Sequence, residues 1–260
     1  MTRLFAPAKL TLSLAVTGVR SDGYHELRSE MVSLSLADEL TFTEGGAGLT
    51  LEAEPGTRAE LLGEEEDNLI TRALVALGRR AAVHVRKRIP LGGGLGGGST
   101  DAAAVLRWAG CTDRDVARAL GSDVPFSVVG GRALVEGTGE TITELDFEPR
   151  TFLLVLPPFG VNTAKVYAAW DSLGEPGEPG NGANALTSAA LTVEPRLARW
   201  RDALRDVAGS EPTLAGSGST WFVDVAPTDG VVEEPVWLTL GDERARLLRT
   251  HTVPAGWDGS

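Results

Sequence analysis

The chain has 260 residues, of which 42% are hydrophobic and 23% charged, enough for one large folded unit or two small ones and unlike a disordered chain. Its 36 acidic and 24 basic residues leave a formal charge of −12, which argues against nucleic acid or an anionic membrane surface as partner. A single cysteine, Cys111, excludes an internal disulfide and a cysteine-rich zinc site.

Leu10, Leu12, Leu14 and Val16 alternate with small or polar residues, the pattern of a half-buried strand. Val32, Leu34 and Leu36 repeat it. Residues 40–43 and 49–53 flank Gly45-Gly46-Ala47-Gly48 and read as a hairpin-like pair. Leu69, Ile70, Ala73, Leu74 and Leu77 have helical spacing, with Asp67 or Asn68 as the N-cap. Residues 82–89 return to alternation, with Val83, Val85 and Ile89 on one side. An alanine-rich helix is expected over 100–108. Thr112 with Asp115 resembles a capping box that opens a short helix ending near Leu120.

Strands are expected around 133–136 and 152–156, the latter stopped by Pro157-Pro158. Residues 174–184 form a turn-rich loop. Leu197, Trp200, Leu204 and Val207 mark a helix. Strands at 221–225 and 236–240 and a final helix near 243–249 complete the reading. Without regular βαβ alternation, the class is α+β with two subdomains, 1–148 and 149–260.

Residues 90–101 read Pro-Leu-Gly-Gly-Gly-Leu-Gly-Gly-Gly-Ser-Thr-Asp. A glycine loop between a strand and a helix suits a phosphate. The backbone can approach closely, and the helix N-terminus behind it is positive. A flexible linker is the plain alternative. A Walker A loop would need a lysine, and none occurs between Lys87 and Lys165. Gly92, Gly94 and Gly97 have the dinucleotide-binding spacing, with Asp113 about 20 residues on, but several strands precede this loop where that motif follows the first.

The loop, with Pro90, Gly94-Leu95-Gly96 and Ser99, resembles the nucleotide loop of the GHMP small-molecule kinases. Pro7-Ala8-Lys9-Leu10-Thr11-Leu12 resembles that family's opening motif, and Gly216-Ser217-Gly218-Ser219 its C-terminal glycine motif. Asp22-Gly23-Tyr24-His25-Glu26-Leu27, Gly121-Ser122-Asp123-Val124-Pro125-Phe126 and Asn184-Ala185-Leu186 resemble the branch whose alcohol substrate carries cytidine diphosphate. The resemblance implies an N-terminal domain like ribosomal protein S5 domain 2, a ferredoxin-like C-terminal domain, and a cleft between them. It implies ATP-dependent phosphorylation of a 2-hydroxyl in isoprenoid precursor synthesis.

On that resemblance Asp123 is the base and Lys9 its partner, where local sequence alone allows a cap residue and a solvated lysine. Only three of the 24 cations are lysines, Lys9, Lys87 and Lys165, so each is a candidate for a place that needs a compact ammonium. ATP is expected on Pro90, Gly92, Gly93, Gly94, Leu95, Gly96, Gly97, Gly98, Ser99 and Thr100, with Asn68, Leu69 and Lys87 near the adenine. Magnesium is expected on the ATP phosphates with no dedicated protein cage and Ser99 as the nearest hydroxyl. Thr11, Tyr24, His25 and Tyr167 are expected at the other substrate, where aromatic faces hold a flat base. At Thr11 the family usually carries Asn, and the stretch from the loop to Asp123 is shorter than usual by about two helical turns. No apolar run approaches ~18 residues and no secretory pattern opens the chain. A cytoplasmic monomer or weak homodimer with no membrane or nucleic-acid partner is therefore expected. Residues after 226 are assigned only a structural role.

Overall fold

The computed structural model describes residues 1–58, 65–174, 183–227 and 236–259. Most of the turn-rich stretch, 175–182, lies outside the described residues.

The first sheet holds β1 (Thr2–Val19), β2 (His25–Glu44), β3 (Leu49–Ala53), β4 (Ala81–Lys87), β5 (Arg132–Gly137) and β6 (Thr141–Leu145). The long β2 is its spine. β1 lies along one edge, while β4 and β5 share the other, against Glu39–Glu44 and Leu27–Val32 respectively. The expected hairpin of β2 with β3 does not form, because β4 takes the place beside β2 and β3 pairs with β4 in parallel. Burial explains the order. Ala81, Val83 and Val85 give β4 an apolar face for an inner strand, whereas β3 is largely exposed and suits an edge. The glycine turn passes close over the start of β4, so that a Cβ on Gly46 would meet that of Ala82 at 2.7 Å.

Helices α1 (Leu69–Ala76), α2 (Gly97–Trp108), α3 (Arg114–Leu120) and α4 (Val124–Val129) belong to this unit. The small residues Ala102, Ala103 and Ala104 let α2 lie close on Ala6, Leu40 and Val85. Helix α3 is capped by Asp113, not Thr112. Its carboxylate accepts the N–H groups of Asp115 and Val116 at 2.8 and 3.4 Å, as an N-cap aspartate should.

The second sheet runs β10 (Val236–Leu240), β11 (Glu243–His251), β7 (Thr151–Leu156), β9 (Trp221–Val225), β8 (Thr213–Leu214). Helices α5 (Thr163–Leu173), α6 (Thr187–Val193) and α7 (Leu197–Ala208) lie between β7 and β8 in the chain. The helix expected at 243–249 is strand β11. It pairs with β10 on one side and β7 on the other, which satisfies its backbone along both edges.

One apolar layer joins the two sheets. Ala8, Leu10, Leu34, Ile89 and Leu95 pack with Phe152, Leu154, Leu156 and Phe222. Leu14 and Val16 continue into the second unit against Trp200 and Trp221. The chain end returns to the first unit. Val253 N–H donates to Ser33 O at 2.9 Å, and the Trp257 ring lies 5.6 Å from that of Phe5.

Candidate active site

The glycine loop is held by both units. Gly94 and Gly96 have φ of +76° and +70°, which only glycine adopts readily. A Cβ on Gly94 would stand 2.2 Å from Ala215 O, and one on Gly96 2.7 Å from Lys9 Cγ. Thr220 N–H donates to Gly93 O at 3.2 Å. The C-terminal glycine segment and the loop are thus in direct contact. Gly96 is the N-cap of α2 and offers no side chain to the first-turn N–H groups, which leaves that positive end for an anion. Buried Arg58 lies under the loop and donates to Ser219 Oγ at 3.3 Å.

Beside Gly96, Lys9 comes from β1 between two register shifts, Pro7/Lys9 and Thr11/Ser13. Such bulges re-aim side chains. Lys9 Nζ lies 3.5 Å from Asp123 Oδ2 and donates to Thr11 Oγ1 at 3.2 Å. Asp123 immediately precedes α4. It stands at the N-cap position, yet its carboxylate makes no capping bond and faces Lys9 instead.

On the same side, β2 and α5 make an aromatic shelf. The His25 and Tyr167 rings stack at 4.7 Å, and Trp170 meets His25 edge-on at 5.5 Å. His25 Nε2 contacts Asp171 Oδ1 at 2.7 Å. Burial first, and the negative charge of Asp123 second, raise the Tyr167 hydroxyl above the ordinary phenol range. Asn184 fastens the floor, its side-chain amide donating to Leu214 O at 2.8 Å and Gly216 O at 2.7 Å.

The structure groups some of the expected residues and separates others. Lys9 reaches Asp123 and Gly96, and His25 stacks on Tyr167. Leu69 lies against the loop, its Cδ1 3.4 Å from where a Gly98 Cβ would be. Asn68 caps α1, accepting the Ile70 N–H at 2.9 Å. Leu95 is buried in the joining layer and presents only backbone, its carbonyl accepting the Lys9 N–H at 3.0 Å. Thr11 is turned to Lys9. Tyr24 is 66% exposed at the β1–β2 turn and lies outside the shelf. Thr100 donates its hydroxyl to Pro7 O at 2.7 Å, so only Ser99 keeps a half-buried hydroxyl beside the loop. Lys87 is buried between Asp38 and Asp101 and has no open path to a base. Its burial was readable, since Lys87 has the same parity as Val83, Val85 and Ile89. Asp38, Asp101 and Asp171 escaped notice because their partners are distant in sequence. The dinucleotide alternative loses its acidic residue, for Asp113 is committed to capping α3.

The GHMP kinases N terminal domain family matches residues 68–131, from the α1 cap past the loop and Asp123. A 4-diphosphocytidyl-2-C-methyl-D-erythritol kinase of Moorella thermoacetica is 43% identical over 182 residues, 64% of this chain and 62% of that protein. The enzyme of that name from Pelotomaculum thermopropionicum is 35% identical over 94% of this chain and 96% of its own length. The chain belongs to the 4-diphosphocytidyl-2-C-methyl-D-erythritol kinase family. A crystal structure of 4-(cytidine 5'-diphospho)-2C-methyl-D-erythritol kinase covers 85% of the chain and 89% of its own, with 32% identity and a TM-score of 0.67. The two-unit architecture is therefore the GHMP kinase fold, and kinases of this family use ATP on a small-molecule alcohol. Among the described residues no helix is long and apolar enough to cross a membrane.

Proposed function

We propose that this chain transfers the γ-phosphoryl group of ATP to the 2-hydroxyl of 4-diphosphocytidyl-2-C-methyl-D-erythritol, on the non-mevalonate route to isoprenoid precursors. The observation that carries the proposal is the approach of Lys9 to Asp123 at 3.5 Å, beside the loop residue Gly96.

Phosphoryl transfer asks the protein for alignment and charge neutralisation more than for covalent chemistry. The N–H groups around Gly94–Ser99 and the α2 terminus take the ATP phosphates. Asp123 accepts the proton of the attacking 2-hydroxyl. The O–P bond to the substrate forms as the bond to ADP breaks, and the proton stays on the carboxylate. Lys9 pairs with Asp123 and stabilises the attacking oxygen. Ser99, half-buried beside the loop, would be the hydroxyl nearest a magnesium carried on the ATP phosphates, and that ion would supply charge neutralisation of the transferred group.

His25 and Tyr167 receive the cytosine face, with Tyr24 on the open side. Homoserine or mevalonate would have no use for this shelf. We assign residues 1–148 to the nucleotide unit and 149–260 to the unit closing the cleft, in a cytoplasmic monomer or weak homodimer without membrane or nucleic-acid partners. The test is ADP release with ATP, Mg²⁺ and the cytidine substrate, with homoserine and mevalonate as controls. Release only with the cytidine substrate is expected; release only with a control alcohol, or none at all, overturns the reading.

A further inference from the structure

Lys87, Asp38 and Asp101 form an ionic cluster directly behind the glycine loop, and no step of the phosphoryl transfer uses it. Lys87 Nζ lies 2.5 Å from Asp38 Oδ2 and 2.7 Å from Asp101 Oδ2. The other oxygen of Asp38 accepts the backbone N–H of Arg88 at 2.5 Å and of Ile89 at 2.9 Å. These are the last two residues before Pro90, where the loop begins. Asp101 stands one turn into α2, where the loop ends. Between them, a Cβ on Gly97 would be 3.5 Å from Lys87 Nζ and 3.1 Å from Ile89 Cγ2. The ammonium thus lies immediately beneath the first residue of the helix.

Three properties decide what such a cluster does. All three residues are buried, at 2%, 0% and 4% exposure for Lys87, Asp38 and Asp101, so none of them meets a ligand in this arrangement. Two carboxylates face one ammonium, so the ionised cluster is net negative and does not attract phosphate. Burial, set against Lys87 and reinforced by Asp38, pushes the Asp101 carboxyl up to about 8, as a surplus carboxylate requires. Apolar side chains could fill such a space at least as stably. What ionic hydrogen bonds add is direction.

We infer that the Asp38–Lys87–Asp101 cluster is a clamp on both arms of the nucleotide loop, with Lys87 a positioning residue that governs nucleotide affinity through loop geometry and not by touching the base. The inference rests on the reading of the loop as the ATP site. Asp38 fixes the arm that leaves β4, Asp101 fixes the arm that becomes α2, and Lys87 ties one to the other. The loop N–H groups are then aligned before nucleotide arrives, which lowers the ordering cost of binding.

The test is calorimetric titration of MgADP and MgGDP into the wild type, K87M, D101L and K87M/D101L, with circular dichroism confirming the fold of each. Each single substitution is expected to weaken ADP by about tenfold and GDP by the same factor, and the double variant to be no worse than either single, because they cut one linkage. At saturating ATP, kcat is expected to fall by less than about threefold, since Lys9 and Asp123 are untouched. A folded variant that binds ADP within about twofold of wild type overturns the clamp. So does a larger loss for ADP than for GDP, which would mark a direct adenine contact. If K87M does not fold, K87M/D101L gives the same reading, since it leaves only Asp38 with its two backbone donors. Wild type that binds nucleotide but releases no ADP overturns the kinase reading while the clamp is still judged by affinity. Wild type that binds neither nucleotide overturns both.

Discussion

Lys9 and Asp123 form an ion pair of unequal burial, with side-chain exposures of 7% and 30%. The ammonium is fixed by β1, Thr11 and the loop, while the carboxylate remains open to an incoming hydroxyl. That asymmetry suits a fixed electrostatic partner and a proton acceptor that must meet substrate. Asp123→Asn is expected to cut kcat by about 10²–10⁴-fold while the KM for ATP stays within about threefold. Steady-state ADP release checks both, and near-normal turnover in the variant would remove Asp123 as the base.

Gly94→Ala tests the loop. The added methyl would enter the Ala215 carbonyl at 2.2 Å, in backbone that already has φ of +76°. An L-residue there costs about 1–2 kcal/mol for the backbone alone, before the collision is relieved. The KM for ATP should rise by about tenfold or more, and the melting temperature should fall. Gly174→Ala is the comparison, because its φ is also positive at +61° but nothing lies within 4 Å of the new methyl. It should show the strain without the loss of ATP affinity.

The aromatic shelf predicts a split between the two substrates. Tyr167→Ala should lose about 1–3 kcal/mol of base stacking, read as a higher KM for the cytidine substrate with the KM for ATP unchanged. Tyr167→Phe keeps the ring and should keep that KM. If Phe and Ala behave alike, the hydroxyl matters and stacking does not.

Asp101 predicts a pH dependence of stability. Its folded-state carboxyl is raised from an ordinary value near 3.8 to about 8, by burial first. Between those values the folded protein holds more protons at this site than the unfolded chain. Stability contributed here is therefore present at low pH and lost as pH rises toward 8. Asp101→Asn, which cannot ionise, should flatten the decline in melting temperature between pH 6 and pH 9. A decline as steep as that of the wild type would show that another group sets it.

The sequence was legible where chemistry and local geometry coincide. The glycine loop between strand and helix, Lys9 beside Thr11, and Tyr167 on a helix could all be placed from neighbours in the chain. Strand pairing was less legible, because β3 and β4 differ mainly in which carries an apolar face, and that shows only once β2 chooses between them. β11 was hard to read because its pairing with β7, far earlier in the chain, leaves no local trace. Lys87 misled because the family resemblance puts it near the adenine, although strand parity turns its side chain inward. Asp38 and Asp171 act on residues far along the chain, and such contacts leave no local trace.

The layer shared by the two sheets limits how this molecule can move. Leu10 and Leu95 are sealed against Phe152 and Phe222, and the chain end straps the second unit back to Ser33. Wide opening of the cleft would expose a continuous hydrophobic surface. The two units should melt in one cooperative transition despite their separate sheets.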